Sequence, residues 1–225
     1  MKKILTFILT LIILITMLFI FTGCSNPDSK EKSNNENTTS DEEHLLNVLN
    51  GKEKYRSSLE EYDGIIYSQN DSIGQDYYIN EIPYISEDIT SPYIEDYAII
   101  DLDGDFKNEI VAHINHAGGF VLVLHREDNI NYGTLLSIRE ILLLKEDGRF
   151  CGSSSATNMT IHKAEFIDQM MNIKTIAYSY DENYFNGEDE AISKEEFNKI
   201  LNDFENTKDA EFIQVKKDNI NENQK

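Results

Sequence analysis

The sequence predicts an α+β domain: an antiparallel β-sheet core with a short N-terminal helix and an amphipathic C-terminal helix. Apolar residues recur at helical spacing near both ends of the domain, around residues 45–49 and 197–204. Between them, short runs rich in Ile, Val and Leu alternate with turn residues. The links between runs are too short for crossover helices, which favours antiparallel pairing.

The first helix is announced by Ser40 and Glu43, spaced as a capping box, with Leu45, Leu46, Val48 and Leu49 behind them and Gly51 as a stop. Strands are expected over residues 97–100, 109–114, 120–125 and 138–144, then 160–166 and 173–180. Gly118-Gly119 and Asp147-Gly148 mark turns between them. Ser193 and Glu196 form a second capping box. Phe197, Ile200, Leu201 and Phe204 then fall on one stripe of a helix over 194–205. A last strand is expected over 210–215, and the polar tail 216–225 is expected to fray.

Upstream, Lys2 and Lys3 precede an uncharged run of 19 residues, 4–22. Such a run crosses hydrocarbon cheaply while the lysines stay on the cytoplasmic side. It ends in Phe21-Thr22-Gly23-Cys24, which resembles the lipobox of bacterial lipoprotein signals, with Phe21 in the place usually held by leucine. The resemblance implies cleavage before Cys24 and a diacylglyceryl thioether on its sulfur. An uncleaved helix is the alternative, and either reading puts the rest of the chain on the extracytoplasmic side of the cell membrane. Residues 25–43 are almost wholly polar and have too little to bury to offset their ordering entropy. The expected organisation is a signal peptide over 1–23, a lipidated cysteine and disordered tether over 24–43, one domain over 44–215 and a tail over 216–225.

Charge narrows the partners. The formal net charge is −21, and the signal holds two of the 20 basic residues. Binding a phosphate backbone needs clustered Lys and Arg, so nucleic acid is excluded as a partner. An anionic membrane surface repels the body too, leaving the lipid on Cys24 to do the holding. Residues 57–106 contain thirteen acids, seven tyrosines (62, 67, 77, 78, 84, 93 and 97) and no Lys or Arg. That stretch reads as an acidic solvated face, with a tyrosine-lined sugar or peptide cleft as the sharper alternative. With Cys24 acylated, Cys151 is the only other cysteine, so no intrachain disulfide forms and its thiol reads as a small buried apolar group.

One segment looks like a site. Asp101-Leu102-Asp103-Gly104-Asp105-Phe106-Lys107-Asn108-Glu109 sets three aspartates at alternate positions between two expected strands. Their carboxylates, the Lys107 carbonyl and Glu109 can form an oxygen shell around a hard cation, giving Asp101, Asp103, Asp105, Lys107 and Glu109 as candidate ligands for a structural Ca2+. An acidic turn without metal is the alternative. Calcium loops of this type favour glycine at the sixth place, where Phe106 stands. EF-hands keep a glutamate at the twelfth, which here is Ala112.

An ordered set of features resembles clostridial lipoproteins of unknown function from low-GC Gram-positive bacteria. It comprises the leading Leu-Asn-Gly, residues 97–111 with the DxDGDxxxE loop, Arg139, Asp147-Gly148-Arg149-Phe150, Ser153 to Ala156 and the Ser193-to-Phe197 cap. Members of that family usually carry glycine in the place of Phe106, and often Ser-Gly-Ala in the place of Ser154-Ser155-Ala156. The resemblance implies secretion and a calcium-type loop, and it implies no reaction.

Catalytic patterns are weaker. Gly152-Ser153-Ser154-Ser155-Ala156 lacks the closing glycine of a nucleophile elbow and reads as a polar turn, with His162 on a following strand. His113 and His125 fall on separate strands and His116 in a turn, a poor arrangement for zinc. The expectation is a membrane-anchored, non-catalytic binding or surface module with a wall, peptide or protein partner. A cell-envelope hydrolase using acidic residues or Ser and His is the alternative.

Overall fold

The computed structural model describes residues 40–58, 74–81, 93–115, 119–155 and 158–215. The leader, Cys24, residues 25–39, His116, Gly118, Tyr62, Tyr67, Tyr84 and the tail 216–225 lie outside the described residues. None of the described helices is long and apolar enough to cross a membrane.

Among the described residues the fold is mixed α+β and sheet-rich, with two sheets and two helices. Helix α1 (Ser40–Leu49) leads to strand β1 (Tyr55–Ser57), β2 (Asp76–Tyr77) and a single 3-10 turn at Ile79–Glu81. The next four strands are β3 (Tyr93–Ile100), β4 (Glu109–Asn115), β5 (Phe120–Glu127) and β6 (Ile130–Ser137). The second half comprises β7 (Leu143–Leu144), β8 (Arg149–Ser155), β9 (Asn158–Ile167), β10 (Met170–Tyr180) and β11 (Asn183–Asn186). Helix α2 (Lys194–Asn206) and β12 (Ile213–Gln214) close the domain.

Seven strands form one sheet in the order β12-β3-β4-β5-β6-β1-β2, and five form another in the order β11-β10-β9-β8-β7. The sheets stack through a core whose first-sheet side includes Ala98, Val111, Val121, Val123 and Leu136. Leu144, Phe150, Ala164 and Met171 meet them from the second sheet. Alternation puts the other residues of each strand on the outer faces, where the helices cover them. Leu45 and Val48 of α1 pack on Ile110, Ala112, Leu122 and Leu124. Phe204 of α2 packs on Cys151 and Ile161, so the Cys151 thiol is buried core, as its apolar setting requires. The layers run helix, sheet, sheet, helix.

Several boundaries differ from the sequence reading. Helix α1 starts at Ser40, four residues inside the stretch assigned to the tether. Asp41, Glu42 and Glu43 sit in its first turn, where the helix dipole favours anions. Glu42 is buried and accepts a hydrogen bond from Asn108, while Asp41 pairs with Arg126, which ties the helix to the first sheet. Residues 130–137 are a full strand that the sequence reading had not marked, and most of 138–144 is turn rather than strand. One pair breaks the antiparallel pattern: β1 runs parallel to β6, with Arg56 opposite Tyr132. At α2 the Ser193 hydroxyl accepts the Glu196 N–H, and the Glu196 carboxylate accepts the Ser193 N–H.

Candidate metal centre

The aspartate loop connects β3 to β4, which pair antiparallel from Tyr93 opposite Asn115 to Ile100 opposite Glu109. Leu102 is fully buried in the core between the sheets and pins the loop from below. The backbone then folds around Asp101, whose Oδ1 accepts the Gly104 N–H at 2.7 Å and whose Oδ2 accepts the Phe106 N–H at 3.0 Å. Asp103 Oδ1 accepts the Asp105 N–H at 3.0 Å. These local bonds are those of aspartates in tight turns, which satisfy main-chain donors where no ladder can.

Phe106 takes φ of 70°, the left-handed region, with its side chain 96 % exposed. The glycine preference at this place in calcium loops thus corresponds to a backbone requirement that this loop also meets. It does so with a phenylalanine, at a cost of about 1–2 kcal/mol.

Three carboxylates converge. Oxygens of Asp101, Asp103 and Glu109 all lie within 4.8 Å of one another. Asp105 stands outside this group: its Oδ1 accepts the Lys107 N–H at 2.8 Å and its Oδ2 pairs with the Lys107 ammonium at 3.0 Å. Lys163 brings its ammonium up beside Gly104, close enough to draw down the pKa of Asp103.

Glu109 is the buried member, 4 % exposed at the first residue of β4, and its Oε2 accepts the Leu102 N–H at 2.8 Å. Burial pushes its carboxyl up to about 8. The Leu102 N–H opposes that rise, and the charges of Asp103, Asp105 and Asp101 add to it. Burial also raises Asp103, with the Asp105 N–H and Lys163 pulling the other way. Crowded acids that resist ionisation in one place are the electrostatic condition a divalent cation relieves.

A histidine that the sequence reading did not connect to this loop joins it in space. The register pairs Ile110 of β4 with Leu124 of β5, so the next position sets Glu109 across from His125. The expected strands 109–114 and 120–125, joined as one hairpin, already imply that pairing. His125 is 3 % exposed, and it lines a cavity of about 80 Å³ together with Asp103 and Glu109. Its ring lies between Phe166, at 4.4 Å, and Tyr132, at 5.3 Å. Among the described residues neither ring nitrogen makes a hydrogen bond of good geometry, although the Gln169 main chain lies close enough to interact with the ring. Burial lowers its pKa to about 4, with the Gln169 main chain pulling weakly the other way, so the imidazole is neutral.

The other candidates fall elsewhere. His113 pairs with Asp96 at 2.6 Å and stacks on Phe212. It faces Val121, four residues along β5 from His125, about 13 Å at the usual strand rise. Ser153 to Ser155 end strand β8 instead of forming a turn, and the Ser153 hydroxyl donates to the Asn158 carbonyl. His162 is buried beside Phe150, its pKa lowered to about 4 by burial, with Nδ1 at 3.3 Å from the Thr175 hydroxyl. Of the described tyrosines in the acidic stretch, Tyr77 packs its ring near Tyr55, and Tyr93 and Tyr97 are half-buried on β3.

Comparison of the chain with known protein families, with curated proteins and with solved structures gives no match.

Proposed function

We propose that this chain is a lipid-anchored, extracytoplasmic binding or surface module in which a calcium ion clamps the turn between β3 and β4. In this reading the lipid on Cys24 holds the protein at the outer face of the cell membrane. The domain, with its short N-terminal helix and amphipathic C-terminal helix each backing one sheet, presents its surface to a wall component, peptide or protein. The observation that carries the reading is the convergence of the Asp101, Asp103 and Glu109 carboxylates at the root of one hairpin. A hard cation there neutralises charges that otherwise repel, displaces the proton from Glu109 and links the end of β3 to the start of β4. The Lys107 carbonyl and Asp105 fill further positions of the oxygen shell once Asp105 leaves the Lys107 ammonium.

Extracellular calcium modules bind in the range of about 10⁻⁴–10⁻³ M. Calcium at 100 times the dissociation constant stabilises the folded state by about 2.7 kcal/mol. For a domain of this size that raises the melting temperature by roughly 5–10 °C. Scanning calorimetry in calcium and in chelator checks this, with Asp103→Ala expected to abolish the rise. Superimposed melting curves for the parent protein in the two buffers would remove the calcium clamp from the reading.

The anchor has its own check. Mass spectrometry of the protein extracted from membranes is expected to find Cys24 at the amino terminus, carrying the mass of a diacylglyceryl group. An intact, unmodified amino terminus on protein from the cell interior would overturn the anchor.

A further inference from the structure

The chain contains two Asn-Gly pairs, Asn50-Gly51 and Asn186-Gly187, and the fold treats them in opposite ways. In such a pair the bare glycine lets its main-chain nitrogen approach and attack the asparagine side-chain carbon, the first step of deamidation. At Asn50 that nitrogen is engaged. The Gly51 N–H donates to the Val48 carbonyl at 2.9 Å, and the Asn50 amide turns back to the Leu46 carbonyl at 2.8 Å. These bonds belong to a helix end closed by a left-handed glycine. At Asn186, the last residue of β11, the Gly187 N–H makes no hydrogen bond among the described residues. Asn186 Oδ1 accepts the Glu188 N–H at 3.0 Å and the Glu190 N–H at 2.9 Å, while Nδ2 donates to the Glu190 carboxylate at 3.0 Å. A side-chain oxygen bonded to the nitrogen two residues on carries its Cγ over the nitrogen between them. Packing imposes the glycine, since a Cβ on Gly187 would collide with the Thr175 carbonyl oxygen.

We infer that Asn186 is a self-modifying site, primed by the fold for deamidation through the Gly187 nitrogen, whereas Asn50 is protected. Solvent hydroxide takes the Gly187 N–H proton, and the nitrogen's electron pair forms a bond to Cγ of Asn186. The carbonyl pair moves onto Oδ1, where the Glu188 and Glu190 N–H groups already stand as donors for an oxyanion. As that pair returns, the Cγ–Nδ2 bond breaks and ammonia leaves with a proton from water. Water then opens the cyclic imide at either carbonyl, leaving aspartate or isoaspartate. The sum is one water consumed and one ammonia released. The product sets a second carboxylate against that of Glu190, where an amide now donates to it, and like charges so close repel. Residues 190–192 cap the outer edge of β11: the Asn186 N–H donates to the Glu190 carbonyl and the Ile192 N–H to the Tyr184 carbonyl. Each conversion therefore loosens that cap, independently of the lipid and of any cation.

The test incubates the purified parent protein at pH 8, folded and in urea, and follows both asparagines by peptide mass spectrometry. In urea the two pairs are expected to convert within about threefold of each other, because structure no longer distinguishes them. In the folded protein Asn186 is expected to convert at least about threefold faster than in urea, helped by its two oxyanion donors. Asn50 is expected to convert at least about tenfold slower than in urea, because its nucleophile is held in the helix cap. Conversion of Asn186 that is no faster folded than unfolded, or that trails Asn50 in the folded protein, overturns the inference. Asn186→Asp installs one product directly and checks the consequence. Its Ile192 N–H is expected to exchange with deuterium at least about tenfold faster than in the parent. Unchanged exchange there overturns the loosening of the cap.

Discussion

In chelator at pH 8.5, Glu109→Gln is expected to melt roughly 8–15 °C above the parent protein, and at pH 4 the two are expected to melt together. The Glu109 carboxyl is pushed up to about 8, chiefly by burial and then by the neighbouring aspartates, from an ordinary 4.5. Between those two values the folded protein keeps a proton that the unfolded chain has released. Stability is therefore fully present below about 4.5, declines as pH rises, and has been lost once pH passes about 8. A gap of that width corresponds to on the order of 5 kcal/mol.

Glutamine removes the ionisation and keeps the contacts. Its carbonyl accepts the Leu102 N–H that Glu109 Oε2 now accepts, and its amide N–H donates toward Asp101 or Asp103. Besides burial, the groups that set the profile are the Leu102 N–H and the charges of Asp103, Asp105 and Asp101, while Lys107, His125, Arg126 and Glu127 line the same cavity. With calcium present the order changes, because the cation replaces the proton in the parent and the glutamine variant has lost a charged ligand. The calcium-induced rise is thus expected to be smaller in Glu109→Gln. Melting temperatures measured from pH 4 to 9 for both proteins decide the matter; parallel profiles would mean that Glu109 ionises normally.

What the sequence makes legible here is local, and what it hides depends on pairing. The aspartate loop is readable because its donors and acceptors lie within nine residues, and Asp101 folds the backbone onto itself. The Ser193 cap is readable for the same reason. Strands β6 and β11 are hidden by the turns before them. Asp128-Asn129 and Asp181-Glu182 both have positive φ, as does Asp168-Gln169 between β9 and β10, so all three are two-residue primed turns built without glycine. Asn-Gly or Asp-Gly is the usual signal for such turns, and none of these pairs contains it. Residues 138–144 mislead in the opposite direction. Their apolar content comes from a turn that buries Ile141 and from the two-residue edge strand β7, where Leu144 is buried, while Leu142 and Leu143 stay half exposed.

The candidate centre divides along the same line. Asp101, Asp103 and Glu109 come together as their spacing suggests, but the diversion of Asp105 to Lys107 is a matter of rotamers that spacing does not determine. His125 enters only through register: a shift of one residue between β4 and β5 would turn it to the helix-covered face. The split into two sheets is likewise non-local. Each strand alternates as one sheet would, and only the packing of Phe150 and Ala164 against Val111 and Val123 reveals the second layer.

That second layer also supports the loop directly, and a large loss of stability is expected where they touch. Gly148, in the turn between β7 and β8, has φ of 79° and lays its bare Cα on the aspartate loop. A Cβ there would stand 2.4 Å from the Leu102 carbonyl oxygen and 2.8 Å from that of Asp101. Both are main-chain atoms and have no rotamer to escape into. Gly148→Ala therefore combines left-handed strain of about 1–2 kcal/mol with overpacking of about 1–3 kcal/mol. The expected fall in melting temperature is roughly 5–15 °C. Gly74→Ala separates the two causes: its φ is 78°, nearly the same, but nothing among the described residues lies within 4 Å of the added carbon. It should lose only the strain. Because Gly148→Ala has to push aside the Leu102–Asp103 peptide and, beside it, the Asp101 carbonyl, it should also blunt the calcium response, which Gly74→Ala should leave alone. Equal losses in the two alanine variants, with calcium responses unchanged, would show that the second sheet does not brace the loop.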